Sequence, residues 1–343
     1  MSLPRGVGGN GECAVSTARP DVATLRRAIE YAVRAPSVHN SQPWRWRVTP
    51  AGVDLFADQD RHLLAIDPDG RDLLLSCGAA LHHLVVGLAG LGCSARVTRF
   101  PDPEDSEHLA RVTPVDPPPA PDQVRLAAAV ARRHTDRRRF GARAVDGALL
   151  DVLVGRAADC GAHLHVVAPG DARTRLMGLI TAAATLQRQQ AGYAAELARW
   201  TGRYAAAGDG IRSDTVAAGI GRPGEVPMRP FPRADLAQSP HSLEHEDASV
   251  LMVLSSRTAD RLGALRAGEA VSAVLLTATD LGLATTPLSQ PLEVATTRAA
   301  VSAHVVGPQL FPQIVLRVGW AHPGSPELPP STRRKIKHVL RTD

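Results

Sequence analysis

A chain of 343 residues holds material for one large or two ordinary domains, and 44% hydrophobic against 21% charged residues is the balance of a globular protein, which excludes wholesale disorder. The net charge of +5 invites a nucleic-acid reading, but the arginines are scattered and only 3% of residues are aromatic, leaving few platforms for stacked bases. No nucleic acid is expected as a partner.

Residues 1–20 are rich in glycine and small polar residues and read as a flexible N-terminal arm. Gly6 to Gly11 formally matches G-x-G-x-x-G, yet no strand precedes it and no helix pattern opens at its last glycine, so a dinucleotide site fails its own context. Behind an Asp21 cap, Val22, Leu25, Ile29 and Val33 recur at helical spacing until Pro36 removes an amide donor. Trp44 to Val48 then alternates as a half-buried strand does, and Val53 to Ala57 returns after the Thr49 to Gly52 turn, which predicts a hairpin. Between helix and strand, Ala35-Pro36-Ser37-Val38-His39-Asn40-Ser41-Gln42-Pro43-Trp44 sets hydroxyls, an imidazole and two carboxamides on non-helical backbone. Such groups suit the polar edge of a flat, otherwise apolar ligand, and they equally suit their own turn; composition leaves both open.

Asp67 to Gly70 caps a helix from Arg71 to about Leu91, apolar nearly all round and carrying Gly78, Gly87 and Gly90, as expected of a core helix closely approached by neighbours. His82 and His83 lie on it; adjacent positions face different ways, so no shared metal site is expected. Strand-like runs at Ala95 to Phe100 and Leu109 to Val115 complete a first half over 21–116, and Pro117 to Pro121 reads as a stiff connector. In the second half, 122–343, Asp122 and Asp146 cap two helices, the second ending near Gly161, and His163 to Val167, Val250 to Ser255 and Pro312 to Trp320 read as strands. The excursion at about 204–246 dissolves all periodicity and is too long for a plain connector, so it reads as either disordered or a functional flap, and its apolar residues favour a lid. Within it His241 to His245 matches H-x-x-E-H, but Pro240 and the strand near Val250 leave barely two helical turns, and no metal is expected. No G-x-S-x-G elbow signals serine hydrolase chemistry.

The chain repeats itself. Cys77 to Cys93 aligns without a gap on Ala267 to Leu283: Gly78 meets Gly268, Ala80 meets Ala270, Leu84 meets Val274, and Leu91-Gly92 meets Leu281-Gly282. A duplicated domain whose halves pack as a homodimer would is the expectation, acting as a monomer or a weak homo-oligomer. Cys13, Cys77, Cys93 and Cys160 form no C-x-x-C pair, no secretory h-region opens the chain, and no run reaches the ~18 apolar residues of a membrane span. A cytoplasmic protein with no membrane partner is expected.

Ala-Pro-Ser-x-x-Asn-x-Gln-Pro-Trp resembles the opening motif of the FMN-dependent nitroreductases, in particular their Acg-type actinobacterial branch. Arg133-His134-Thr135-Asp136-Arg137-Arg138 is similar to that family's phosphate-binding Arg-Arg-Ser-x-Arg, with His134 in place of one arginine, and Arg333-Arg334 looks like its C-terminal phosphate arginine. The resemblance spans roughly Asp21 to Leu340. It implies an α/β (α+β) nitroreductase-like fold of two tandem repeats forming an intramolecular pseudo-dimer. It implies one FMN, edged by Pro36, Ser37, His39, Asn40 and Gln42, its phosphate held by Arg133, His134, Thr135, Arg137, Arg138, Arg333 and Arg334, and its N5 approached by Pro287, Leu288 and Ser289. Hydride transfer through N5 from NAD(P)H to nitro compounds or quinones is the implied activity, and flavin storage with little turnover its rival; no catalytic side chain is picked out.

Overall fold

The computed structural model describes residues 20–217, 222 and 224–341. The Gly6 to Gly11 motif, Cys13 and Ile220 lie outside the described residues.

Two four-stranded antiparallel sheets share one strand order, first-second-fourth-third. In the first they are β1 (Trp44–Thr49), β2 (Gly52–Ala57), β4 (His108–Val115) and β3 (Ser94–Arg99); in the second β5 (His163–Val166), β6 (Val250–Ser256), β8 (Phe311–Gly319) and β7 (Ala284–Leu288). The predicted hairpin forms, pairing Trp44 with Ala57 and Thr49 with Gly52. Alternation assigns the faces: Trp44, Trp46, Val53 and Leu55 enter the core beneath α1 (Val22–Ala32) and α2 (Arg71–Gly90). β6 is apolar on both sides because both are covered. Met252 and Leu254 pack on α4 (Gly147–Asp159) and α7 (Arg261–Asp280), while Leu251 and Val253 pack on α5 (Asp171–Gln189). The remaining helices are α3 (Pro121–Arg132), α6 (Tyr193–Trp200), α8 (Gln290–Glu293) and α9 (Ala295–Val301).

The repeat detected in the sequence lies at the centre. A Cβ on Gly78 would sit 2.0 Å from the Leu265 carbonyl oxygen, and one on Gly268 would sit 2.1 Å from that of Leu75. Carried two residues further back, the alignment pairs Leu75 with Leu265, so the contacts of α2 and α7 are reciprocal, as around a two-fold axis. Two core helices can approach this closely only where neither carries a side chain. Both are long and apolar enough to cross a bilayer, but 83% of each apolar window is buried within the protein. β3 and β7 share the same register, which pairs Arg99 with Ser289, and α2 and α7 pair Ala79 with Glu269. Arg99 holds Glu269 by two hydrogen bonds of 2.7 and 2.8 Å.

Local expectations are partly met and partly corrected. The expected Asp67 to Gly70 cap of α2 is made by the Asp67 carboxylate, which accepts the Asp72 and Leu73 amides at 3.0 and 2.8 Å. Asp122 does not cap α3, because Pro121 already occupies the first helical position. His82 and His83 do not diverge: both Nδ1 atoms lie 2.7 Å from Ser272 Oγ on the crossing helix α7. The H-x-x-E-H segment, read as too cramped for a metal-binding helix, is a short 3-10 turn with an exposed His241–Glu244 pair. The tail, grouped with the second half by sequence, returns to the first sheet, where Trp46 N donates to Val339 O and Arg341 N to Trp46 O, both at 2.7 Å.

Candidate functional site

The loop between α1 and β1 is built under strain. Three of the five non-glycine residues with left-handed backbone among the described residues fall in it: His39 (φ 46°), Asn40 (φ 55°) and Gln42 (φ 52°). Such conformations cost about 1–3 kcal/mol each and persist where the surroundings over-determine them. Here Val38 N donates to Ser76 Oγ on α2, Gln42 N to Ser37 Oγ, and Asn40 Nδ2 to the carbonyls of Gly210 and Thr332. The loop is thereby locked to α2, to the 204–246 segment and to the tail.

Against this loop lies a cleft of two joined lobes. The larger, about 910 Å³, is mostly apolar. Pro36, Ser37 and His39 from the loop, Leu75, Ser76 and Ala79 from α2, and Thr286 to Gln290 at the end of β7 wall it, with Ile211, Met228, Arg229 and Phe231 closing over from the 204–246 segment. The smaller, about 450 Å³, is polar and is lined by Asn40, Arg133, Arg212, Thr332 and Arg333. Pro36, Ser37, Thr135 and Arg137 face both lobes. First-repeat elements therefore meet second-repeat elements along the whole cleft.

The polar lobe concentrates uncompensated positive charge. Among the described residues Arg133, Arg137 and Arg333 have no carboxylate within ion-pair distance, although most of the chain's other buried arginines have one. Burial pushes Arg133 down to about 10; burial and neighbouring Arg229 do the same to Arg137; burial, then Arg133 and Arg34, push Arg333 down to about 9. Arg133 Nε and Nη1 and Arg333 Nε have no hydrogen-bond acceptor. A buried guanidinium with spare donors is costly unless an anion completes it. His39 is held neutral by burial and by Arg229 and Arg137, and its Nδ1 is likewise unpaired.

Of the residues singled out from sequence, Pro36, Ser37, His39, Asn40, Arg133, Thr135, Arg137, Pro287, Leu288, Ser289 and Arg333 line the cleft. Four stand away from it. Gln42 is fully buried and spent on anchoring, its Nε2 donating to Gly208 O and its Oε1 accepting from Arg334 N. Arg334 reaches the Gln42 carbonyl and Asp58. Arg138 is closed into a two-bond pair with Asp136. His134 faces a separate depression beside Arg133 and Arg333, since successive residues on extended backbone point opposite ways.

Sequence reasoning missed a buried polar cluster under the apolar lobe. Arg229 bonds Glu293 at 2.5 Å, Tyr193 Oη at 3.0 Å and His39 Nε2 at 3.3 Å, and Glu293 also accepts from Ser289 Oγ and Gln187 Nε2. Asp72, 1% exposed, faces the lobe from the first turn of α2. Arg229 stands within Arg229-Pro230-Phe231-Pro232, where an arginine amid prolines and an aromatic was the available signal; Asp72 was hidden as an ordinary acidic residue in the first turn of a helix.

A duplicated α/β fold thus sets a strained loop and a desolvated arginine lobe around one cleft at the junction of its repeats. The chain belongs to the NAD(P)H nitroreductase family of oxidoreductases. It is 44% identical over 337 residues, 97% of this chain and 96% of the relative, to Rv3131 of Mycobacterium tuberculosis, assigned by name to the NAD(P)H nitroreductases. It is 37% identical over 319 residues, 92% of this chain and 95% of the relative, to the acg protein of the same organism, named likewise. No protein-family profile matches. Among solved structures, the FMN-dependent nitroreductase NfnB from Mycobacterium smegmatis in complex with NADPH covers 64% of this chain and 98% of its own, at 15% identity and a TM-score of 0.38. A Bacteroides fragilis nitroreductase with bound FMN does so at 11% identity and a TM-score of 0.40, with the same coverage.

Proposed function

We propose that the cleft holds FMN, with the phosphate in the arginine lobe and the isoalloxazine in the apolar lobe, and that the protein is an NAD(P)H-dependent reductase of nitro compounds or quinones. The observation that carries this reading is the set of three desolvated guanidinium groups, Arg133, Arg137 and Arg333, with no carboxylate partner, at the end of an apolar slot. A phosphomonoester dianion supplies the acceptors that Arg133 and Arg333 lack. Thr135 adds a hydroxyl, Asn40 Oδ1 fixes Arg333 through a 3.0 Å bond, and Pro287 and Leu288 offer a flat apolar wall. When bound, FMN supplies two-electron chemistry that the side chains cannot. The chain's own residues position the ring, exclude water and set its electrostatic surroundings.

A second reading, flavin storage with little turnover, draws support from the roof. Met228, Arg229 and Phe231 lie over the apolar lobe, Phe231 is fixed edge-on to His39 at 5.9 Å, and the Arg137 guanidinium stacks on it at 5.4 Å. Such a lid narrows the path of a nicotinamide. Anaerobic mixing of the FMN-loaded protein with NADPH, NADH and dithionite separates the two: rapid bleaching by a pyridine nucleotide supports the reductase, and bleaching by dithionite alone supports storage. A protein that retains no FMN would defeat both.

A further inference from the structure

Among the groups lining the apolar lobe, one has no role in holding a cofactor. Asp72 projects from the first turn of α2, is 1% exposed, and neither carboxylate oxygen accepts a hydrogen bond. It belongs to a cluster in which three carboxyls, Asp67, Asp72 and Glu293, crowd about Arg71 and Arg229, and crowding of like charge in a buried setting favours one bound proton. Hydrogen bonding says where it resides. Asp67 accepts two backbone amides, which offset part of the burial that raises it to about 6, and Glu293 accepts from Arg229, Ser289 and Gln187, so the donors of the cluster are spent on these two groups. Arg71 Nη2 comes within 2.5 Å of Asp72 Oδ1, but its hydrogen bonds go to the Gln313 and Leu292 carbonyls. Asp72 Oδ1 has the Arg71 ion pair alone and Oδ2 has no partner among the described residues, so Oδ2 is where the proton fits.

We infer that Asp72 is the catalytic acid of this site, a neutral carboxylic acid that gives the reducible acceptor its proton. The inference rests on the cleft being a flavin site and adds to it the source of the second hydrogen. With a quinone as acceptor the balance closes. A bound FMN, reduced by NAD(P)H or dithionite, would supply the hydride, two electrons and one hydrogen; Asp72 supplies the proton, its O–H bond breaking as an O–H bond forms on the quinone oxygen, so that hydroquinone leaves. The carboxylate regains a proton from water entering the vacated lobe. The rival donor, His39, is a neutral imidazole between two arginines and a far weaker acid than a carboxyl group.

The electrostatics agree with the geometry. Burial, then Asp67 and Glu293, outweigh the attraction of Arg71 and Arg229 and raise Asp72 to about 8. The acid form therefore prevails at neutral pH and is lost as pH rises through that value.

Stopped-flow reoxidation of the dithionite-reduced, FMN-loaded protein tests the role. Quinone should reoxidise Asp72→Asn on the order of 10²-fold more slowly than the native protein, whereas ferricyanide, a one-electron oxidant that takes up no proton, should reoxidise both equally. The native rate with quinone should fall as pH rises past about 8, and the variant's should be flat. Infrared spectra of the native, FMN-free protein give a readout independent of turnover: a protonated-carboxyl stretch at neutral pH, bleached over the same alkaline range and missing from Asp72→Asn. Equal losses with quinone and ferricyanide, a pH-independent native rate, or no infrared band would overturn the inference while leaving the flavin reading intact. Failure of the native protein to bind FMN would instead defeat the flavin reading, and the donor role with it.

Discussion

Arg133 shows how far a single side chain can be held out of balance. It donates one long bond, 3.4 Å, to the Arg34 carbonyl and keeps two unpaired donors in a buried setting beside the like-charged Arg333. Its energetic compensation therefore lies in the ligand. Arg133→Ala should weaken FMN by about 1.5–3 kcal/mol, the usual loss of one charge-assisted bond, and should leave riboflavin, which has no phosphate, nearly unaffected. Titration by flavin fluorescence quenching checks both; equal losses would place Arg133 away from the phosphate. At this scale the sequence was legible where residue type and chemistry coincide, as for the arginines near Thr135. It was silent where a side chain does structural duty. Gln42 and Arg334 carry the same donors as their cleft-lining neighbours, and only the return of the tail across β1 explains why they are spent on each other. Asp72 was illegible for the opposite reason, since an acidic residue in the first turn of a helix is ordinary dipole compensation.

Elements with a single clean period could be read directly, the β1–β2 hairpin and α1, whereas α2 was read from its capping sequence and continuous apolar run and α7 from its likeness to α2. α5 and α6 passed unnoticed because their buried faces, Leu176, Ile180 and Ala183 in one and Tyr193, Leu197 and Trp200 in the other, are diluted by alanines that carry no signal. β7 was hidden because Thr285, Thr286 and Pro287 spell a loop until β8 pairs with them. The crossing of α2 and α7 gives a sharp test of packing. Gly78→Ala drives a methyl into the Leu265 carbonyl and should cost about 1–3 kcal/mol or more. Gly155→Ala, in the exposed middle of α4 with nothing within 4 Å, should gain about 0.5–1 kcal/mol. Urea midpoints measure both, and similar values would mean the helices can part at little cost. The roof offers another. Phe231→Ala removes a ring that lies against His39 and Arg137, so reduction by NADPH should quicken while dithionite reduction stays the same; no gain would show that Phe231 does not limit access.

For the whole molecule, duplication was visible in sequence as a repeat and in space as two sheets of one strand order. What no repeat could reveal is that one of the two equivalent junctions is blocked. At the cleft Ala79 and Ser289 leave a hollow; at the matching place on the other side Glu269 and Arg99 fill it with their own paired side chains. One FMN per chain should therefore be released on denaturation, and a ratio near two, or FAD instead, would contradict a single site. The blocked junction has a consequence for inheritance. Where two identical subunits meet, every substitution is made twice, so neither pocket can drift without its copy. Once both halves are written in one reading frame, each position mutates alone. The 99–269 pair then marks the junction that was free to close, and the roof segment, which has no counterpart before α2, marks the junction that was free to be covered.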